Sequence, residues 1–431
     1  MAAQDLAEKQ APKRHMLVFD PAYTYRIMME RDVAVIVTGR DLNGYFDHIW
    51  TVHPVAMLLE PEGSPERIGR PIVHELAPRH TLIEGRMGRY GWLRRIPILN
   101  FVLAQMDLMR MLMRLVDAKG IRIVRSEEPH YDGLLAYIVA RRKKLPLMIG
   151  VWGNPGAVRK QTGRPLMPRL FKRVWVEEIV ERFVLRRADR VMVQNEDNRR
   201  FVLDQGVPRD KTEIFRFGNV IQPHHYVDPA LRQDGAADLA EMGVDRREAV
   251  MVISRLQDLK LVHHVIQAVK TLAERGRRVV ALLVGEGPYQ GELEALATQL
   301  GVREQILFCG NREQSWLARV IPCVAAVASP LTGRALGEAA LGGAPIVAYD
   351  IDWHSELIRS GETGELVPYL DHQAMADAIE RLLADPDRAA QLGKNLRSRA
   401  LDLLDPAAAD QAQIRAYEAL LGGGQILNPP Q

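Results

Sequence analysis

Val324-Ala325-Ala326-Val327-Ala328-Ser329-Pro330-Leu331-Thr332-Gly333-Arg334-Ala335-Leu336-Gly337-Glu338-Ala339 is the stretch on which the fold turns. Its first five residues are apolar without alternation, which predicts a buried strand of a parallel sheet. From Ser329 the chain turns into a helix of small and apolar residues that ends at Gly342-Gly343. With Thr332 as N-cap and Gly333 at the helix start, free backbone N–H groups and the positive helix end converge on one place, which suits an anion. Glu338 lies about one turn further in, among Ala335, Leu336, Ala339, Ala340 and Leu341. A carboxylate on so apolar a helix is costly unless something hydrogen-bonds it. Two readings stand at this point: a ligand for that carboxylate, or an i,i+4 pair between Arg334 and Glu338 on an exposed edge.

Outward from this stretch the α/β rhythm is regular. Strands are predicted at Ala249–Ile253, Val279–Val284, Ile306–Phe308, Cys323–Ala328, Pro345–Ala348 and Glu365–Val367, most of them separated by helical patterns. Apolar strands alternating with helices mean a parallel sheet covered on both faces. Ligands of such sheets bind beyond the carboxyl ends of the strands. Those ends here carry Ser254-Arg255-Leu256-Gln257-Asp258-Leu259-Lys260, Gly285-Glu286-Gly287-Pro288 and Cys309-Gly310-Asn311-Arg312. Two cations and a free helix start on one rim suit a diphosphate, although singly Arg255 and Lys260 read as surface cations. The Gly-Glu-Gly-Pro turn lacks the third glycine of a dinucleotide fingerprint, so a nicotinamide or flavin role is unsupported. No P-loop, no HExxH and no cysteine-rich metal spacing occurs, and the adjacent His263-His264 point to different helix faces.

The first half is less regular. Strands are predicted at Met16–Phe19, Val33–Val37, Ile49–Val52, Ile121–Val124, Leu147–Val151, Arg190–Val193 and around Ile214, and the signal is weak from the third of these to about Thr81. Arg86, Arg89, Arg94 and Arg95 surround Tyr90 and Trp92, and a Met-rich helix follows from Ile98 to Val116. That helix reads as core, yet its arginine and tryptophan entry suits a membrane surface. Between Arg159 and Arg173 the cations Arg159, Lys160, Arg164, Arg169, Lys172 and Arg173 occur with no acid, interleaved with Leu166, Met167, Leu170 and Phe171. A solvated loop is the plain reading; anionic headgroups would attract it by roughly 1 kcal/mol per basic residue.

The chain's 431 residues, 47% hydrophobic and 26% charged, predict two globular domains, and a net charge of +3 does not point to nucleic acid. The organisation expected is a first Rossmann-like lobe over 1–222, a linker over 223–243, a second lobe over 244–404, a helix over about 405–421 that packs back on the first lobe, and a frayed tail over 422–431. Cys309 and Cys323 in apolar settings indicate a reducing compartment. The polar first fifteen residues show no signal peptide, and no apolar run reaches membrane-spanning length. The expected location is cytoplasmic.

Ile253-Ser254-Arg255-Leu256 with Lys260, Leu283-Val284-Gly285-Glu286-Gly287-Pro288, Phe308-Cys309-Gly310, Gly333 to Ala339, Ala344-Pro345-Ile346-Val347-Ala348 and Gly361-Glu362-Thr363-Gly364-Glu365-Leu366-Val367 follow one another in an order that resembles the retaining glycosyltransferases of family 4. These are the group 1, glycogen synthase-like enzymes with two doubly wound lobes facing across a cleft, the GT-B fold. In the first lobe, Ala188-Asp189-Arg190-Val191 and Gly218-Asn219-Val220 resemble later landmarks of the family, so the likeness covers most of residues 120–420.

The resemblance implies that Arg255 and Lys260 hold the donor diphosphate and stabilise it as leaving group, which makes them the catalytic pair. Thr332, Gly333 and Arg334 would lie at the phosphates, Glu338 would take the ribose hydroxyls, and the backbone at Gly310 and Asn311 would cradle the base. It implies no cofactor and no metal; a UDP- or GDP-linked sugar is the substrate, and a lipid-linked or polysaccharide acceptor the partner. Glu128, His130 and Asn154 are the acceptor-side candidates. Arg164, Arg169, Lys172 and Arg173 are the candidates for contact with an anionic membrane, which would make the protein peripheral on the inner face of the cytoplasmic membrane.

The sequence departs from the family at three places. The usual first glutamate, eight residues before the second, is Pro330 here (338 − 8 = 330); Trp152 stands where a histidine is common; and Asp20-Pro21-Ala22-Tyr23-Thr24 replaces a Gly-Gly loop. The expected function is transfer of a sugar from a nucleotide donor to a cell-envelope glycolipid or polysaccharide. The alternatives are a sugar-nucleotide-binding partner without turnover and a nucleotide-sugar epimerase.

Overall fold

The computed structural model describes residues 13–30, 33–60, 64, 67–88 and 91–422. The chain divides into two compact units, one made of the residues up to Phe215 together with those from Asp410, the other of Arg216–Ala409. Arg89, Tyr90, the first twelve residues and the tail beyond Gly422 lie outside the described residues.

The first unit is built on β1 (His15–Phe19), β2 (His48–His53), β3 (Ile72–Ala77), β4 (His80–Glu84), β5 (Ile123–Ser126), β6 (Leu147–Val151), β7 (Arg190–Val193) and β8 (Thr212–Ile214). They form one sheet in the order β3-β4-β2-β1-β5-β6-β7-β8. The β3–β4 pair is antiparallel and its neighbours are parallel. Side chains alternate along β1: Leu17 and Phe19 enter one core with Leu112 and Val184, while Met16 and Val18 enter another with Met148 and Tyr417. That double burial is why the strand reads as an unbroken apolar run.

Two expectations fail here. Val33–Val37 is not a strand; Ala34–Thr38 is a short helix, with Val37 packed in a small cluster with Met28 and Leu82. Its β-branched run fits either state locally, and packing decides. β3 and β4 were not anticipated, because β3 is an edge strand with Val73 exposed and β4 opens on His80 and Thr81.

The second unit is built on β9 (Ala249–Ile253), β10 (Val280–Val284), β11 (Ile306–Gly310), β12 (Ala326–Ser329), β13 (Ile346–Tyr349) and β14 (Glu365–Val367). Its sheet is parallel throughout, in the order β11-β10-β9-β12-β13-β14. Val250 and Val252 face one core, Ala249, Met251 and Ile253 the other. Strand order reverses between β9 and β12, and this switch point is where doubly wound sheets leave a crevice.

Residues 223–243, expected as a linker, belong to the second unit. Leu239 is fully buried in its core, and the Arg232 guanidinium donates to the Ala318 carbonyl at 2.7 Å and the His225 carbonyl at 2.6 Å. In the final helix, Pro406–Leu421, Tyr417 is buried in the first unit and accepts from Arg125 Nη1 at 2.7 Å. Cys309 and Cys323 are free thiols. Among the described residues no helix is long and apolar enough to cross a membrane.

Candidate functional site

Backbone pairing assembles the rim of the second unit before any side chain is considered. Ser254 N–H donates to the Val284 carbonyl at 3.0 Å, Leu256 N–H to that of Glu286 at 3.0 Å, and Gly285 N–H to that of Gly310 at 2.9 Å. Glycine is required at two points of this lacing. A Cβ on Gly285, whose φ is +134°, would lie 2.0 Å from the Ser254 oxygen, and one on Gly287 2.0 Å from the Leu256 oxygen. The Gly-Glu-Gly-Pro turn is thus explained by close approach to the segment that carries Arg255. Across the rim, Asn311 Nδ2 donates to Glu286 Oε2 at 3.0 Å, which holds Gly310-Asn311 against the same turn.

Arg255 is exposed and Lys260 half-buried, and neither forms an ion pair among the described residues. Burial first, and the neighbouring Arg255 guanidinium second, pull the Lys260 amine below its ordinary range, with Asp352 offsetting part of this. Two cations that repel each other, neither held in an ion pair among the described residues, suit an anion.

Beyond the end of β12, across the switch point from Lys260, Gly333 rather than the expected Thr332 is the N-cap of the helix Arg334–Leu341, with no side-chain cap hydrogen bond. Thr332 precedes it, Arg334 opens the helix and Glu338 lies within it. Glu338 is not on an exposed edge: its side chain is 3% exposed. Arg334 Nε approaches Oε1 to 2.9 Å, but the geometry is not that of a hydrogen bond, and Oε1 is left without one. Burial pushes the Glu338 carboxyl up, and Arg334 draws it only part of the way back. The Thr332 hydroxyl oxygen is likewise buried with no hydrogen-bond partner. A buried hydroxyl without a partner and a buried carboxylate met only by a poorly aligned guanidinium are features that a ligand would satisfy.

The strand ends of the first unit carry a denser polar network, which sequence reasoning missed. Arg40 reaches Asp20 at 2.5 Å and Glu127 at 3.4 Å; Arg125 reaches Glu127 at 2.8 Å. Trp152 Nε1 donates to Glu127 Oε2 at 2.7 Å, so this indole is held in place by the network. The available signal was charge at the ends of apolar strands: Asp20 after β1, Arg125 and Glu127 at β5. Of the acceptor-side candidates, Asn154 caps the helix Pro155–Thr162 by accepting from Ala157 N–H at 3.0 Å and donates to Asp197 at 2.9 Å, so both ends of its amide are engaged. Glu128, half-buried, lines a pocket with Pro21, Thr162, Arg164, Leu166 and Pro168.

His130 is buried between Glu181, 3.0 Å from Nε2, and Glu128, 3.6 Å from Nδ1. Burial opposes its charge, but the two carboxylates win and raise it to about 9 from an ordinary 6.5. A raised histidine stabilises the fold fully below pH 6.5, and that contribution is lost as pH climbs through about 9. The unfolding midpoint of the first unit is therefore expected to fall across this window, and to fall less in His130→Gln. An equal fall of the midpoint with pH in the two proteins would contradict the assignment.

Arg164, Arg169, Lys172 and Arg173 are all exposed and form no ion pair among the described residues. The loop that carries the first of them is pinned from below: Glu177, fully buried, accepts the backbone N–H groups of Leu166 and Met167 at 2.9 Å each.

Comparison with known proteins matches residues 241–399 to the group 1 glycosyl transferases and residues 30–218 to the glycosyl transferase 4-like domain. Alpha-D-kanosaminyltransferase of Streptomyces kanamyceticus is 32% identical over 164 residues, 37% of this chain and 42% of that protein. D-inositol 3-phosphate glycosyltransferase of Nocardia farcinica is 30% identical over 230 residues, 50% of this chain and 49% of that protein. The chain thus spans about half, or less, of the length of these relatives. Among solved structures, HepE of Anabaena in complex with UDP superposes with a TM-score of 0.70 at 18% identity, covering 94% of this chain and 100% of that one. Sucrose-phosphate synthase of Thermosynechococcus elongatus gives 0.70 at 19% identity, covering 96% and 100%. These likenesses establish the fold of both units, and with the two family matches the chain belongs to the group 1, family 4 glycosyltransferases of the GT-B fold.

Proposed function

We propose that the protein is a retaining, metal-independent glycosyltransferase that moves a sugar from a UDP- or GDP-linked donor to a cell-envelope glycolipid or polysaccharide. The observation that carries this reading is a rim of strand ends that holds Arg255 and Lys260, neither in an ion pair among the described residues, together with the buried Thr332 hydroxyl and the buried Glu338 carboxylate. In the transfer, the bond from the anomeric carbon to the diphosphate oxygen breaks and a bond to the acceptor oxygen forms on the same face. The acceptor's proton leaves with the phosphate. Arg255 and Lys260 stabilise the charge that develops on the leaving diphosphate. Gly333 N–H contacts a phosphate, Glu338 accepts from the ribose hydroxyls, and the backbone at Gly310 and Asn311 borders the base.

The test is nucleotide release from a panel of UDP-, GDP- and ADP-sugars with lipid-linked acceptors, in the presence of a chelator, with the anomeric configuration read by NMR. An inverted product would sink the retaining assignment, and loss of activity on chelation the metal-independent one. Saturable binding without turnover would favour the second reading, a sugar-nucleotide-binding partner. Pro330 in place of a carboxylate and the committed indole of Trp152 are what favour it.

An acceptor presented at a membrane is supported by the surface of the first unit. Trp92 is 73% and Ile98 79% exposed, and Ile98, Val102 and Met106 recur every four residues on the outer face of the helix Pro97–Lys119. Trp175 and Ile179 are exposed on the helix that follows Lys172 and Arg173. Aromatic and aliphatic groups beside unpaired cations suit an anionic lipid surface on the cytoplasmic side. Two relatives are named for inositol-bearing acceptors, D-inositol 3-phosphate and a phosphatidylinositol monomannoside. Flotation with anionic vesicles is expected, weakened by high salt and by alanine at Arg164, Arg169, Lys172 and Arg173. Equal flotation with neutral vesicles would contradict it.

A further inference from the structure

The carbonyl of Thr332 and the N–H of Gly333 belong to one peptide group, and in a trans peptide they point opposite ways. His354 grips that carbonyl. It is fully buried in the short helix His354–Leu357 beyond β13, with Nε2 3.1 Å from the Thr332 oxygen and Nδ1 2.8 Å from the Tyr349 oxygen. Drawing the carbonyl inward turns the Gly333 N–H the other way, and donation to the carbonyl polarises the peptide so that this N–H becomes a stronger donor.

The two contacts make a demand that a neutral imidazole cannot meet. It carries one N–H, whereas both partners are carbonyl oxygens, which only accept. One nitrogen lone pair therefore faces an oxygen lone pair unless the ring holds a second proton. Burial is the main force against that proton, and the Lys260 ammonium adds to it; Asp350 and the two carbonyls favour it, and the balance leaves the group below its ordinary range. A diphosphate bound at Lys260 would cancel the repulsion and add an attraction.

We propose that His354 is a positioning residue for the donor phosphate, taking up a proton from solvent as a nucleoside diphosphate binds and fixing the Thr332–Gly333 peptide with its N–H outward. This rests on the donor-site reading above, and the two fail in different ways.

The experiment is calorimetric titration of UDP, and separately of GDP, into the full chain near pH 6.5, the ordinary histidine value, in two buffers of different ionisation enthalpy. Net uptake of up to one proton per nucleotide is expected, with affinity falling by up to about tenfold per pH unit as pH rises through this window. Lys260 is retained in His354→Gln, so that variant separates the two groups. In His354→Gln the uptake near pH 6.5 is expected to vanish, together with the pH dependence of affinity there. In the wild-type complex, nitrogen shifts of labelled histidine should show both ring nitrogens of one buried histidine protonated, which needs no variant. Binding without proton uptake, or uptake that persists in His354→Gln, would overturn the inference and leave the donor site standing. Absence of binding of either nucleotide would bring down the donor-site reading and this inference with it.

Discussion

Lys260→Ala is expected to lower sugar transfer by about 10²–10³-fold, the scale of removing one preorganised group from a developing negative charge. The fold should not suffer. In the unliganded protein Lys260 forms no ion pair among the described residues, and burial together with Arg255 lowers its pKa by more than Asp352 raises it, so its charge is a net cost until an anion arrives. The repulsion between the two cations in the free state turns into attraction when a diphosphate sits between them. The unfolding midpoint of Lys260→Ala is therefore expected to stay level or rise while turnover collapses. Arg255→Ala should lower transfer as well, and the double variant should lose less than the two losses multiplied, because both cations act on one group. The pH profile carries a sign of its own. Transfer should decline on the alkaline side as Lys260 loses its proton, at a pH below the usual 10.5 of a lysine. Turnover of Lys260→Ala within a few-fold of wild type on the preferred donor would remove this lysine from the leaving-group role.

The second unit was legible in the sequence because its strands are buried on both faces and its rim is built from backbone turns. Ala249–Ile253 and Glu365–Val367 occupy the residues expected of them, and the glycines of the Gly-Glu-Gly-Pro turn sit where a side chain would strike the Ser254 and Leu256 carbonyls. Such constraints write themselves into residue type. The first unit was less legible for a matching reason. At its edge β3 buries little, so Val73, His74 and Glu75 carry no continuous apolar pattern, and β4, although buried, opens on the polar His80 and Thr81. Arg40, Arg125 and Tyr417 are joined through space across segments far apart in the chain, and nothing local in any of them announces the others. Glu338 falls between these cases. Its apolar neighbours marked it as buried, while the choice between an exposed pair and a ligand needed the actual geometry around Oε1.

Glu338→Gln is expected to weaken binding of the nucleoside diphosphate by about 1.5–3 kcal/mol, roughly 10- to 150-fold, the worth of hydrogen bonds to a charged group. It should also make the unliganded protein more stable, by about 1 kcal/mol. These opposite effects follow from one fact: the carboxylate is buried with an oxygen that makes no hydrogen bond. Burial raises the Glu338 pKa above the ordinary 4.5. As pH rises past 4.5 the unfolded chain gives up this proton while the folded chain still holds it, so stability falls until the folded group has ionised too. Above this range the buried carboxyl therefore costs the fold stability, a cost that glutamine removes with nearly the same shape. The ribose hydroxyls proposed to satisfy that charge would lose their acceptor at the same time. Chemical denaturation of the two proteins at acid and neutral pH, set beside titration of UDP and GDP, reads both effects. A variant that binds nucleotide as wild type does would release Glu338 from the donor site. One that binds weakly and is also less stable at neutral pH would mean that Arg334 meets the carboxylate's needs in the folded protein, and that the loss of binding is a loss of structure.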